Sequence, residues 1–248
     1  MPDASTTSLS VASRLWFAWT MLVYLVVSPV FWAIWMPVMI LRPTVGVFWR
    51  WFRVYDRIVY ALCGFRIRSV REGASGDKVG PAVYVSNHQA MMDIPALALA
   101  IDTPFVFVAR GSLRKVPLVG SVLHRSPCVF IDRNAPGGAQ EALTESTERL
   151  RDGISVLFFP EGTRSFTGEL LPFRRGAFQV ALDADVPVVP VALGDTHHLL
   201  DERSRTARPG RLEVRIGPPM YAEPGEAPEA FAARAQAEVQ RLLALARA

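Results

Sequence analysis

The sequence predicts an α/β protein: a mainly parallel sheet flanked by helices, behind an N-terminal hydrophobic, membrane-anchoring helical segment. Three observations carry this. From residue 65 onward, short apolar runs alternate with helical patterns, as in strand–helix–strand units. Those runs are apolar almost throughout, as strands covered by helices on both faces are. And no charged residue occurs from Leu15 to Leu41.

The elements follow in chain order. Residues 1–14 read as a polar, disordered leader, 15–64 as a membrane-anchoring helical segment, and 65–248 as one globular domain. The uncharged run of 27 residues would reach roughly 40 Å as a helix, enough to cross a bilayer. Pro29 and Pro37 would kink or break it, so a hairpin that dips in and returns is also open. Trp16, Trp19, Trp32 and Trp35 suggest a belt at the lipid interface. A single arginine, Arg14, precedes the run and Arg42, Arg50, Arg53 and Arg57 follow it. That asymmetry puts the C-terminal flank on the cytoplasmic side, at a bacterial inner membrane. Over residues 44–63, Gly46, Arg50, Arg53 and Arg57 make one polar stripe amid apolar residues. This is the pattern of a helix lying in the interface, guanidinium groups among phosphates.

Strands are expected at 65–70, 82–86, 105–109, 128–131, 154–159, 186–193 and 212–216, with helices at 94–101, 118–124, 138–151 and 176–184. The alanine-rich tail after Pro228 completes the domain as a terminal helix.

Composition narrows the function. The net charge is +4, from 27 basic and 23 acidic residues, and Lys78 and Lys115 are the only lysines. A surface whose cations are nearly all arginine suits phosphate or carboxylate partners. Two cysteines, Cys63 and Cys128, form no CxxC pair, so a structural zinc site or disulfide framework is not indicated. No Walker loop and no Gly-x-Ser-x-Gly elbow is present, which disfavours nucleotide hydrolysis and a covalent serine mechanism. The arginine stripe adjoins a membrane-like segment and no aromatic–basic sheet motif accompanies it, so nucleic acid is a poor partner.

Two stretches carry chemistry. The first is Asn87-His88-Gln89-Ala90-Met91-Met92-Asp93. It follows an apolar strand, so it sits beyond the C-terminal end where open α/β sheets bind ligands. Asp93 reads as the N-cap of the next helix, with Pro95 in its first turn. His88 and Asp93 thus flank one tight connection. Imidazole takes a proton near neutral pH, and a carboxylate fixes its tautomer and stabilises the imidazolium. The second stretch is Phe159-Pro160-Glu161-Gly162-Thr163-Arg164-Ser165. Gly162 permits a tight turn with exposed amides, and Arg164 beside them suits a phosphate. Alternatively, Glu161 and Arg164 only pair with each other. His88 lacks a partner at metal-ligand spacing. His197 and His198 read as surface residues of a loop.

With both stretches in view, the chain resembles the glycerolipid acyltransferases, especially the lysophosphatidate acyltransferases. Asn87-His88 through Asp93 fits the family's Asn-His-x4-Asp block. Arg110 through Gly120, with Val129-Phe130-Ile131-Asp132-Arg133, looks like its second. Phe159 through Ser165 fits the third, and Val186-Pro187-Val188-Val189-Pro190-Val191 the fourth. The resemblance implies that 65–248 is an acyltransferase domain. It would move a fatty acyl group from acyl-CoA or acyl-carrier protein to the free hydroxyl of 1-acyl-glycerol-3-phosphate in a bilayer. It implies His88 as general base, Asp93 as its orienting partner, and Glu161, Gly162, Thr163 and Arg164 as acceptor ligands. Arg133 is the second anion contact it suggests, and Arg110 keeps one positive charge of the second block. Arg110-Gly111-Ser112-Leu113 stands where two lysines and a glutamate commonly precede the leucine. That departure leaves glycerol-3-phosphate or a lyso-aminolipid open as acceptor. A lipid-binding protein without turnover is the reading from another class. The chemistry asks for no metal and no cofactor beyond the acyl donor.

Overall fold

The computed structural model describes residues 11–42, 44–73, 79–115, 128–132 and 135–248. The expected leader lies mostly outside them. Helix α1 (Val11–Leu41) already begins within it, at Val11. The helix predicted over 118–124 also lies outside the described residues.

Helix α1 runs unbroken through Pro29 and Pro37, so the chain makes no hairpin within it. Packing supplies what the missing N–H groups do not. Helix α2 (Val45–Leu62) folds back along α1, with Thr44 capping its start through a bond from the Val47 amide. Phe31, Trp32, Trp35, Phe48, Trp51 and Tyr55 interlock between the two helices at centroid distances of 4.9–5.9 Å. Beside Pro29, the Ser28 and Tyr55 hydroxyls share a 2.7 Å bond. The tryptophans read as a belt differ in exposure, and Trp19 is exposed. Trp35 is fully buried. Trp16 and Trp19 donate their indole N–H groups to the carbonyls of Cys63 and Leu62, at 3.0 and 2.9 Å. They satisfy acceptors that a helix C-terminus otherwise leaves open.

The arginine stripe of α2 is likewise divided. Arg50 and Arg57 are exposed. Arg53 instead turns onto the domain and donates to the carbonyls of Ala98, at 2.8 Å, and Ile101, at the end of the helix Asp93–Ala100. It serves as a C-terminal cap there, not as a lipid contact. Arg53→Ala strands both carbonyls. It is expected to lower stability by about 1.5–3 kcal/mol, the range for bonds to a charged donor, read from the denaturant midpoint in detergent.

The domain behind these helices is a three-layer sandwich. Its order is β1 (Phe65–Arg71), β2 (Val83–Ser86), α3 (Asp93–Ala100), β3 (Phe105–Arg110), a 3₁₀ turn (Gly111–Lys115), β4 (Val129–Ile131) and α4 (Gly138–Arg151). There follow β5 (Ser155–Phe158), α5 (Gly176–Ala184), β6 (Val188–Leu193), α6 (Thr196–Leu199), β7 (Leu200–Asp201), β8 (Thr206–Ala207), β9 (Gly210–Ile216) and α7 (Pro228–Arg247). Among the described residues the main sheet has seven strands in the order β1-β9-β6-β2-β5-β3-β4, with β6–β9 the one antiparallel pair. The strands start and stop within two residues of their expected ends. Helices α1, α2 and α3 cover one face, around Trp35, Phe48, Leu97 and Phe105. Helices α4, α5 and α7 cover the other, around Phe178, Phe231 and Leu242.

This topology places the site. Strands β6, β2, β5, β3 and β4 are neighbours and run parallel. Their C-terminal ends share one edge. His88 and Arg164 follow the ends of β2 and β5, and Arg110 is the last residue of β3.

Candidate active site

The first loop is built around one carboxylate. Asp93 is fully buried and opens α3 as its first helical residue; the N-cap position belongs to Met92. The side chain does not cap the helix. It reaches back over its own loop, where Oδ2 accepts from the amides of Gln89 (2.6 Å) and Ala90 (2.9 Å) and meets His88 Nδ1 at 2.6 Å. Three donors on one oxygen hold the negative charge against the imidazole. Among the described residues Oδ1 has no hydrogen-bond partner. With Nδ1 committed, Nε2 is the nitrogen left to face a substrate. The ring lies flat on Phe159, 4.0 Å between centroids and 16° between planes, with a fifth of the side chain exposed. Phe159 thus fixes the ring plane, a role its apolar character alone did not announce.

Asn87 secures the loop to the sheet. Its amide donates to the Leu193 carbonyl (2.9 Å) and accepts from the Leu193 N–H (2.8 Å). The side chain acts as one more strand residue, stapling the end of β2 to the end of β6. Ser86 is wholly buried and bonds to Asn87, so it offers no nucleophile to a groove.

The second loop braces the first. Gly162 has φ +73°, a left-handed conformation that glycine adopts without strain. Its amide is bonded to the Phe159 carbonyl at 2.9 Å, so it is not the free donor expected of this turn. Glu161 is buried and turned inward. Oε1 accepts the His88 amide at 2.8 Å and Oε2 the Leu171 amide at 3.1 Å. The Ser165 amide returns a 2.8 Å bond to the His88 carbonyl. His88 is therefore clamped by backbone bonds on both sides. Glu161 and Arg164 do not pair: Arg164 makes an ion pair with Glu202. Thr163 is exposed. Arg110 is exposed at the end of β3, two strands from β2. Arg133 lies outside the described residues.

Burial pushes the Glu161 carboxyl up to about 7, with Asp93 adding to the rise and the two amides opposing it. The sign follows from proton counting. Between the ordinary value of 4.5 and about 7, the folded chain holds a proton that the unfolded chain has released. The group's contribution to stability is complete below 4.5 and lost as pH rises through 7. Unfolding midpoints of the wild type should fall between pH 5 and pH 7 more steeply than those of Glu161→Gln; parallel curves would remove Glu161 as the titrating group.

Of the histidines after β6, His198 is exposed as expected, whereas His197 is half-buried. His197 lies 2.8 Å from Gln89 Oε1, and its ring is 4.0 Å from that of His198. Among the described residues, Asp195, His197 and His198 are the one group with metal-ligand spacing. Arg247 already holds the Asp195 carboxylate at 2.7 Å, and its charge opposes a cation there.

Comparison with known proteins agrees with this geometry. The Acyltransferase family model matches residues 69–194, which contain both loops. A chloroplastic 1-acyl-sn-glycerol-3-phosphate acyltransferase of Brassica napus is 37% identical over 142 residues, covering 57% of this chain and 41% of that one. The mouse 1-acyl-sn-glycerol-3-phosphate acyltransferase alpha is 33% identical over 164 residues, covering 65% and 57%. The chain thus spans about half the length of these curated relatives. The crystal structure of the 1-acyl-sn-glycerophosphate acyltransferase PlsC from Thermotoga maritima superposes with a TM-score of 0.75 over 94% of each chain at 26% identity. With its matched region spanning half the sequence and both loops of the candidate site, the chain belongs to the acyltransferase family.

Proposed function

We propose that this chain transfers a fatty acyl group from a thioester, acyl-CoA or acyl-carrier protein, to the free hydroxyl of 1-acyl-glycerol-3-phosphate. The observation that carries this is the 2.6 Å contact between His88 Nδ1 and Asp93, on a sheet edge shared with the Arg164 loop. In the reaction, Nε2 takes the hydroxyl proton as the oxygen attacks the thioester carbonyl. The tetrahedral intermediate then collapses, the carbon–sulfur bond breaks, and the imidazolium returns its proton to the leaving thiolate. Asp93 stabilises the imidazolium between these steps. Arg164 is the residue we assign to the acceptor's phosphate; its planar fork suits that group. Thr163, Gly162 and Arg110 line the same edge. Glu161, both of whose oxygens meet backbone amides, contributes by holding the loop.

The helices suit an acceptor that resides in lipid. Leu15, Trp19, Leu22, Val26 and Val30 are exposed along one face of α1, and Val54, Ile58 and Leu62 are exposed along α2. Contiguous apolar surface of this kind marks contact with a membrane. The arginines after α1 support a cytoplasmic face as its location. Drawing an acyl chain into water costs about 0.8 kcal/mol per CH₂, which a site at the interface avoids.

The test is direct. Purified protein in detergent, given labelled acyl-CoA and lysophosphatidate, should form phosphatidate. Product on glycerol-3-phosphate or a lyso-aminolipid alone would replace the acceptor, and no product from any thioester would remove the activity.

A further inference from the structure

A third segment reaches the two motif loops, from beyond the region that the family match covers. Strands β7 and β8 form a small hairpin after β6, and Glu202 opens its turn. The turn is tightly made. Asp201 accepts from the amides of Arg203 (2.8 Å) and Ser204 (3.2 Å), and from the Ser204 hydroxyl at 2.6 Å. That hydroxyl also meets Thr206 at 2.7 Å. So Glu202 stands on a fixed base. Its Oε1 accepts the Met91 amide at 2.5 Å, inside the His88–Asp93 loop. Its Oε2 pairs with Arg164. The Arg164 guanidinium is also held over the ring of Phe166, 5.3 Å from the centroid. Phe166 takes φ +56°, uncommon for a bulky residue, to put its ring there.

These bonds close a circuit. Ser165 ties the Arg164 loop to His88 at one end, and Glu202 ties the Arg164 head to Met91 at the other. The guanidinium therefore keeps a set separation from the imidazole. A free arginine side chain carries considerable rotamer entropy, which this arrangement removes before a ligand arrives. A guanidinium has five N–H donors. Among the described residues only Nη1 is hydrogen-bonded, to Glu202, which leaves the remaining edge to an anion.

We propose that Glu202 is a positioning residue for the acceptor. It aims Arg164 so that a bound phosphate sets the glycerol hydroxyl at His88, and so makes the site selective for lysolipids with an anionic head. The inference rests on the function proposed above, which supplies the phosphate and the hydroxyl. Both carboxylate oxygens of Glu202 are engaged by the protein, so it is not itself a ligand for a cationic headgroup.

The experiment is a double-mutant cycle read by binding and by turnover. Wild type, Glu202→Gln, Arg164→Ala and the double variant are titrated in detergent with lysophosphatidate and with monoacylglycerol, which lacks the phosphate. Glu202→Gln should weaken lysophosphatidate binding about tenfold, raise its KM alike and lower kcat on this acceptor, with the acyl-donor KM nearly unchanged. Monoacylglycerol binding should not move. The double variant should be no weaker than Arg164→Ala alone, because both changes remove one interaction. Equal losses for the two lipids, additive effects, or a wild type that binds both lipids alike would overturn the proposal. Should Glu202→Gln fold poorly, Glu202→Ala carries the same cycle, with circular dichroism as control. A wild type that binds lysophosphatidate with the expected coupling yet transfers no acyl group would strike the proposed activity and leave the role of Glu202 standing.

Discussion

His88→Ala is expected to lower acyl transfer by about 10²–10⁴-fold, the usual worth of a positioned general base, with the fold intact. The substitution is a clean one. The clamps on this residue use its amide and carbonyl, to Glu161 and Ser165, and both survive in alanine. Only the ring, its contact with Asp93 and its stack on Phe159 are lost. Asp93→Ala is a less selective probe, since it also strands the buried amides of Gln89 and Ala90. Asp93→Asn keeps an acceptor for those amides and removes the charge that steadies an imidazolium. Turnover of Asp93→Asn should therefore fall steeply, and the His88→Ala/Asp93→Asn double variant should lose little beyond His88→Ala, as groups acting as one unit do. Initial rates under saturating donor, with melting curves beside them, decide it. Wild-type turnover in His88→Ala would end the general-base assignment.

Asn87→Ala should give the largest loss of stability. The Asn87 amide bonds both polar groups of the Leu193 backbone, and all of them are buried. Alanine leaves a carbonyl and an N–H without partners where water does not reach. At about 1–3 kcal/mol for each stranded group the expected loss is about 2–6 kcal/mol, a large share of a typical domain's stability. Activity should fall as well, because the staple holds the residue before His88. Asn87→Asp tests the reason: the carboxylate still accepts from the Leu193 N–H but meets the Leu193 carbonyl without a proton to donate. It should be destabilised at neutral pH. Chemical denaturation of both variants would reveal it, and midpoints equal to the wild type would show that the staple is dispensable.

Several features were legible without coordinates because they rest on local pattern. Strand β5 reads as a buried apolar run ended by Pro160, and α4 and α5 fall over the predicted residues. The pairing of His88 with Asp93 follows from their spacing across a tight connection. Other features were misjudged where a side chain had two plausible partners. Arg53 and Trp35 fit lipid phosphates and a membrane belt by pattern, yet Arg53 finds a backbone carbonyl distant in sequence and Trp35 is fully buried. Glu161 looked like a ligand and became a brace.

The sequence by itself determined the alternation of strands and helices, the apolar N-terminal segment and the two loops that bear reactive groups. Hydrophobic periodicity and turn residues act over a few neighbours, and a chain displays them openly. Only the tertiary structure decided which groups meet: Asn87 with Leu193, Glu161 with the His88 amide, Glu202 with Arg164. Those bonds join residues 38 to 106 positions apart. Strand order and helix packing select them, since every buried polar group must find a partner once water is excluded.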